Sequence, residues 1–305
     1  MNIADRLKNA YASGGFKEIL RKSFFHYIYR LNNFKTKIVL DCKKMEFGLN
    51  TTEKRKEKVI VSLTSYPPRF AKIHLTLKSI LLQSEKPDRI IVYLGSDSSR
   101  EQFTNEMLNM EQYGVEYRID SKRNLKSHKK YFYAMQEFVN DVVVTADDDV
   151  IYPSDWLSCL LKSYKKFPKA VSARRVHLMK KNGNELSFYN FWEDQCRRIK
   201  TPSFALIATG CSGILYPPHC LSSLAFDETR IKDLCFDADD IWLKCVEVLN
   251  DIPVVWAKNW EVDPLSVDGA QDKALSGLNV DFRKNDVYLK NVMDCFNISV
   301  GVFFR

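Results

Sequence analysis

The 305-residue chain predicts an α/β fold built on a mostly parallel sheet flanked by helices. Three observations carry this. Between residues 59 and 146, strand-like segments alternate with helix-periodic ones, the pattern of right-handed βαβ units. The fourth strand, Val142-Val143-Val144-Thr145-Ala146, is apolar and β-branched, as a central strand covered on both faces must be. That strand runs directly into Asp147-Asp148-Asp149, at the carboxyl edge where open α/β sheets bind ligands.

The elements follow in order. Residues 16–31 form an amphipathic pattern, with Leu20, Phe24, Tyr27, Ile28 and Leu31 on one face and Lys17, Arg21, Lys22 and Arg30 mostly elsewhere. Such a basic, aromatic-rich helix suits a bilayer interface, or equally a helix packed on the main domain. Thr51 to Lys58 is polar and reads as a linker. Strands are expected at 59–63, 89–94, 115–119 and 142–146. Helices are expected at 73–83, 100–111 and 128–138, the first burying Ile73, Leu77, Ile80 and Leu81 and the last Tyr131, Ala134, Met135 and Phe138. Beyond Pro153 the pattern loosens. A helix fits Trp156 to Tyr164, strands fit near 170–177 and 204–208, and a helix fits Asp239 to Leu249. The last forty residues give no clear pattern. The expected organisation is a basic helical extension over 1–55 and a catalytic domain over 56–305. Within that domain, 56–150 would be the nucleotide-binding half and 151–305 the acceptor half.

Composition narrows the class. With 45% hydrophobic and 28% charged residues the chain is an ordinary globular protein. No apolar run approaches the roughly 18 residues of a membrane span. The first residues lack the apolar stretch of a secretory signal, so a cytoplasmic location is expected. None of the eight cysteines forms a CxxC pair, which argues for reduced thiols rather than a disulfide framework or a thiolate zinc site. The net charge is +8, and residues 1–50 carry ten basic against four acidic residues, a net +6. This asymmetry suggests an anionic partner, a membrane surface or a nucleic acid.

The sharpest chemical signal is Asp147-Asp148-Asp149. Three adjacent carboxylates repel unless a cation offsets them. Oxygen ligands suit Mg²⁺ or Mn²⁺, which keep phosphate and water in their remaining positions. Upstream, Lys126, Lys129 and Lys130 enter a helix N-terminus, where cations oppose the dipole and suit a phosphate-binding surface; a solvated basic face is the alternative. Thr209-Gly210-Cys211-Ser212-Gly213 permits close backbone approach to a ligand, or is an ordinary turn. Asp237-Ala238-Asp239-Asp240-Ile241-Trp242 opens a helix, where acids are favoured electrostatically and Asp239 could act as the cap.

VVVTADDDVIYPSDW (142–156) resembles the DxD segment of GT-A fold glycosyltransferases, in particular family-2-like bacterial enzymes of surface-polysaccharide (capsule and O-antigen) synthesis. VIVSLTSYPPRFAKIHLTLKSILLQSEKPDRIIVYL (59–94) looks like the first βαβ unit of the same family. The resemblance spans about 59–250 and is looser in its second half. It implies that Thr64, Ser65, Tyr66 and Arg69 contact the nucleotide, together with Ser96 and Asp97. A rigid Pro-Pro turn explains 64–69 as well. It implies a ribose or metal role for Asp147, a donor contact for Asp148 and a metal-binding role for Asp149, with Mn²⁺ or Mg²⁺ as cofactor. Lys126, Lys129 and Lys130 would contact the nucleotide, and Gly210, Ser212 and Gly213 would border the donor sugar. Similar inverting enzymes carry their base in an acidic pair at a helix start, which points to Asp240 first and Asp239 second. The implied donor is a nucleotide sugar, with UDP expected, and the implied acceptor is a glycan or lipid-linked glycan. The N-terminal helix would hold the enzyme on the inner face of the plasma membrane. One departure stands out: some relatives complete the metal shell with a late histidine, but the last histidine here is His219. Asp286 is the substitute considered, and His74, His128 and His177 read as structural.

Other classes are open. A nucleotidyltransferase acting on a sugar phosphate shares much of this geometry. A non-catalytic membrane- or nucleic-acid-binding protein would use the basic N-terminus, although acidic clusters in the cleft disfavour nucleic acid. An aspartyl phosphotransferase would want its acidic run nearer the first strand.

Overall fold

A computed structural model describes residues 42–259, 265–267 and 283–305, with scattered positions between 20 and 40. The first half is regular. β1 (Val59–Thr64), β2 (Arg89–Leu94), β3 (Val115–Ile119) and β4 (Val142–Ala146) pair in parallel. They alternate with α1 (Phe70–Leu81), α2 (Asn105–Glu111) and α3 (Lys129–Glu137). The period-two alternation of β1 sets the layers. Val59, Val61 and Leu63 face a core shared with Ile73, Leu77 and Ile80 of α1, while Ile60 faces Ala134 of α3. Both faces of the sheet are therefore covered, which explains why its central strands β1 and β4 are almost wholly apolar, whereas the edge strand β3 carries Glu116 and Arg118.

The second half continues with β5 (Val150–Ile151), α4 (Trp156–Lys166), β6 (Val171–Ala173), β7 (Val176–Leu178), β8 (Lys181–Asn182) and β9 (Glu185–Leu186). It ends with β10 (Leu206–Ala208), β11 (Ile214–Tyr216), α5 (Glu228–Leu234), α6 (Asp239–Leu249), β12 (Val254–Trp256), β13 (Leu265–Ser266) and α7 (Lys284–Phe296). The main sheet has seven strands in the order β12-β6-β11-β4-β1-β2-β3. β11 is the antiparallel member, lying between β4 and β6.

Several expectations change in detail. The helix expected over 100–111 is a short 3₁₀ turn at Arg100–Gln102 followed by α2, because the Thr104 side chain accepts from Met107 N and starts a new helix. The strand expected over 170–177 breaks after Ala173: β6 stays in the main sheet, and β7 leaves it to pair with β10. The Thr51–Lys58 segment is tied to the domain, since Arg55 bonds Glu53, Glu85 and Asp88, and Glu57 accepts from the Tyr164 hydroxyl. The unassigned C-terminal stretch contains α7, which packs on α6.

Of the N-terminal amphipathic segment, Leu20, Phe24, Tyr27 and Leu31 are helical and exposed, as are Phe34 and Ile38 beyond it. Lys17, Arg21, Lys22, Ile28 and Arg30 lie outside the described residues. Among the described residues no helix is long and apolar enough to cross a membrane. The described cysteines, all eight, are free thiols.

Candidate active site

A cavity of about 790 Å³ opens over the carboxyl ends of β1 and β4 and the N-terminus of α6. The strand frame delivers Asp147, Asp148 and Asp149 to its floor. The turn holding them is fixed from several sides. Asp147 N donates to the Tyr152 hydroxyl at 2.9 Å, the Thr76 hydroxyl donates to Asp148 O at 2.7 Å, and Val267 N donates to Asp149 O at 2.9 Å.

The three carboxylates differ. Asp148 is the most buried, its side chain 5% exposed, and is taken up by the Ser65 hydroxyl at 2.5 Å and by Arg69. Arg69 also lies 3.3 Å from Asp149. Asp147, at 29% exposed, pairs with Lys130 at 2.8 Å, and Asp149 is 11% exposed. Burial pushes the Asp148 carboxyl up despite Arg69. Burial and the Asp147 charge push Asp149 up to about 6, with Arg69 opposing.

Asp239 and Asp240 reach the same cavity from the first turn of α6. Lys130 Nζ sits between the clusters, 2.8 Å from Asp147 Oδ1 and 2.9 Å from Asp239 Oδ2. Although burial disfavours its charge, the Lys130 ammonium holds Asp239 below the usual carboxylate range. Asp240 has no such partner. Gly210 N donates to its Oδ2 at 3.0 Å, its Oδ1 is buried without a hydrogen bond, and burial with the Asp239 charge pushes it up to about 7. Neighbouring carboxyls driven apart in this way are the arrangement expected of a charge holder beside a proton acceptor.

Gly210 is required by proximity. A Cβ there would stand 2.7 Å from Lys130 Nζ and 3.2 Å from Asp240 Oδ1.

Most sequence-predicted residues converge. Thr64, Ser65, Tyr66, Arg69, Asp97, Lys126, Lys129 and Lys130 line the cavity with the five aspartates. Lys126 pairs with Asp237 at 2.5 Å. Lys129 is buried, bonds the Asn124 side chain at 2.8 Å and makes no ion pair among the described residues, although Asp97 and Asp148 lie near enough to feel its charge. Burial holds its pKa below the usual lysine range.

Four predicted residues, Ser96, Gly210, Ser212 and Gly213, do not line the cavity. Ser96 is exposed, with its backbone bonded to Arg123 O. Ser212 O accepts from the Trp156 indole at 2.9 Å, and Gly213, at φ 88°, passes so close to Trp156 that a Cβ would lie 2.3 Å from Nε1. These two are read here as packing residues of α4. Asp286 is also elsewhere: its carboxylate accepts from Tyr189 N at 2.7 Å. His128 is buried between the Tyr131 hydroxyl and Cys235 O, a structural place, whereas His177 lines the cavity.

Sequence reasoning missed a second wall, made of Arg175, His177, Tyr189, Trp192, Asp194 and Asn285. The one available signal was the aromatic run Phe188-Tyr189-Asn190-Phe191-Trp192, conspicuous in a stretch without strand or helix periodicity.

The acidic floor suits a divalent cation by charge. The lining holds eight aspartates against five lysines and arginines, a formal surplus of three negative charges. Burial first, and the neighbouring carboxylates second, raise the Asp149 and Asp240 carboxyls. Among the described residues no three acidic, histidine or cysteine side chains form a ready cage. Mg²⁺-type sites need none, since one or two carboxylates plus substrate phosphates suffice. Asp147 and Asp149 are the ligands available.

Residues 68–219 match the profile of glycosyl transferase family 2. That span holds Arg69, the three aspartates and Lys130, and ends before Asp239-Asp240. No curated protein matches the chain. Among solved structures, the mannosyltransferase PcManGT from Pyrobaculum calidifontis, in complex with GDP-Man and Mn²⁺, is similar at 12% identity and TM-score 0.47, covering 93% of this chain and 77% of that one. A 4-diphosphocytidyl-2C-methyl-D-erythritol synthase is similar at 12% identity and TM-score 0.43, covering 73% and 99%. Likenesses this distant carry no functional argument. The helix-flanked, mostly parallel sheet is of GT-A type, and the family match over 68–219 supports sugar transfer.

Proposed function

We propose that the chain transfers a sugar from a nucleotide-sugar donor to a glycan or lipid-linked glycan, with inversion at the anomeric carbon. The observation that carries this is the meeting of two acidic clusters, Asp147–Asp149 and Asp239–Asp240, in one cavity at the carboxyl edge of the sheet. Asp147 and Asp149 would hold Mn²⁺ or Mg²⁺, which would offset the charge on the leaving nucleotide. Thr64, Tyr66 and Asp97 border the nucleotide, and Lys129 supplies a cation that makes no ion pair among the described residues.

Asp240 is the base. Its unpartnered Oδ1 takes the proton of the acceptor hydroxyl as that oxygen bonds to the anomeric carbon, while the bond from that carbon to the phosphate oxygen breaks and the nucleoside diphosphate leaves. Arg69 and Lys130 hold the carboxylates in place and do not react. The exposed apolar side chains Leu20, Phe24, Tyr27 and Leu31, with the basic excess of residues 1–50, support docking on an anionic membrane surface. An acceptor carried on a lipid, as in bacterial surface-polysaccharide synthesis, fits that placement.

The test is a thermal-shift screen of UDP-, GDP-, CMP- and dTDP-sugars with and without Mn²⁺. At least one donor should raise Tm, more so with metal, and Asp149→Ala should lose the metal-dependent part. Failure of every donor, or an Asp149→Ala protein that gains as much from Mn²⁺ as the wild type, overturns the reading.

A further inference from the structure

We propose that the aromatic wall of the cavity is an acceptor subsite for an uncharged saccharide, with the Tyr189 and Trp192 rings as its platform and the Asn285 amide reading sugar hydroxyls. This rests on the transferase reading above and narrows its acceptor. The platform is built in advance. Tyr189–Phe191 is a 3₁₀ turn whose first N–H is held by Asp286 at 2.7 Å, and the Trp192 indole donates to Ser187 O at 2.8 Å. The Tyr189 and Trp192 ring centroids lie 4.8 Å apart at an interplanar angle of 42°, and His177 meets Tyr189 edge-on at 5.8 Å. Each fixed ring offers a flat apolar face of the kind that the C–H face of a pyranose covers, the two inclined to one another, and both keep the low conformational freedom that makes aromatic contacts effective in recognition.

Asn285 supplies the polar half. It stands in the first turn of α7, is buried, lines the cavity, and its side chain makes no hydrogen bond among the described residues. A carboxamide both donates and accepts, which matches a hydroxyl pair on one sugar. Its amide is not among the fully enclosed polar atoms, so a ligand entering the cavity can reach it. The Tyr189 hydroxyl likewise makes no hydrogen bond among the described residues, and it lies near enough to Asp240 to feel its charge. The subsite thus ends at the base.

Charge decides the class of acceptor. Arg175 and Asp194 pair at 3.1 Å, and burial with the Arg175 charge keeps His177 neutral, its pKa held down to about 4. This wall is balanced, unlike the aspartate wall. A hexuronide or a sialoside would bring a carboxylate to a surface with no spare cation.

The experiment uses the full chain in two arms. Ligand-observed NMR compares binding of methyl hexosides and methyl hexuronides to the wild type, which needs no donor. Transfer kinetics, with the donor found by the screen, compare wild type with Asn285→Ala, Tyr189→Leu and Tyr189→Phe. Expected are neutral glycosides binding better than uronides, and an acceptor KM about tenfold higher or more in Asn285→Ala, the loss typical of a hydroxyl-reading hydrogen bond. Tyr189→Leu should behave similarly, Tyr189→Phe should stay near wild type, and donor Kd should not move in any variant. Preference for uronides, or an unchanged acceptor KM in both Asn285→Ala and Tyr189→Leu with donor binding intact, overturns the inference alone. Absence of any donor binding overturns the transferase reading, and the inference falls with it.

Discussion

The two walls of the cavity come from different kinds of chain. One wall is assembled by β1, β4 and the helix starts of α3 and α6, and it is crowded with charge: five aspartates against Arg69, Lys129 and Lys130. The other comes from the irregular stretch after β7 and from α7, and it is aromatic and electrically balanced. The contrast has a physical basis. Carboxylates kept close together in a low-dielectric site need a stiff frame and fixed counter-ions, which a parallel sheet, half-buried Arg69 and buried Lys130 provide. A surface that recognises an uncharged ring needs shape more than a fixed field, and loops can vary shape without disturbing the sheet.

The largest expected effect breaks the charged wall at its reactive point. Asp240→Asn should lower kcat by about 10²–10⁴-fold, the usual worth of a positioned general base, while leaving donor affinity intact. An Asp240→Asn enzyme with near-normal kcat would move the role to Asp239. The same variant should be more stable than wild type at pH 8. The sign follows from the raised carboxyl. A group whose folded pKa lies above its unfolded one adds most stability at low pH, and loses it as pH rises through the folded value, here about 7. Asparagine never ionises, so it escapes that loss, and a higher Tm for the variant at pH 8 would show it.

Next comes the link between the clusters. Lys130→Met removes the ammonium from Asp147 and Asp239 at once, and stranding buried charges costs about 3–5 kcal/mol. Chemical denaturation should read that loss directly, and a divalent cation should restore part of it. A Lys130→Met protein as stable as wild type would mean the two clusters do not depend on their shared cation. The smallest effect sharpens the comparison without a mutation. If Asp240 must be ionised to act, kcat/KM should rise about tenfold per pH unit below about 7 and flatten above it. The balanced wall offers no group titrating near there, since His177 is held down to about 4. Acceptor binding measured without turnover should therefore be flat over the same range.

Much of the charged wall was legible in the residues. Asp147-Asp148-Asp149 follow an unmistakable strand, and Asp239-Asp240 open an unmistakable helix. Their neighbours were legible as a set but not as individuals. Lys126, Lys129 and Lys130 look alike in sequence. In the fold, Lys126 pairs with Asp237, Lys130 bridges the acidic clusters, and Lys129 makes no ion pair among the described residues. Likewise, nothing in DDD says that its middle member is consumed by Ser65 and Arg69. Gly210 and Gly213 illustrate the same limit: two glycines three residues apart, one yielding space to Lys130 and Asp240, the other to Trp156.

By itself the sequence determined the parallel half of the sheet, its doubly covered strands and the acidic edge, because these rest on local periodicity and on charges adjacent in the chain. Tertiary structure alone decided where β11 inserts, a three-residue strand too short to show a period, and how Tyr189, Trp192 and Asn285 come to share one wall across almost a hundred residues. It also decided which aspartate faces a cation and which does not. Those outcomes depend on distances between segments remote in the chain, and hydrophobic periodicity carries no information about them.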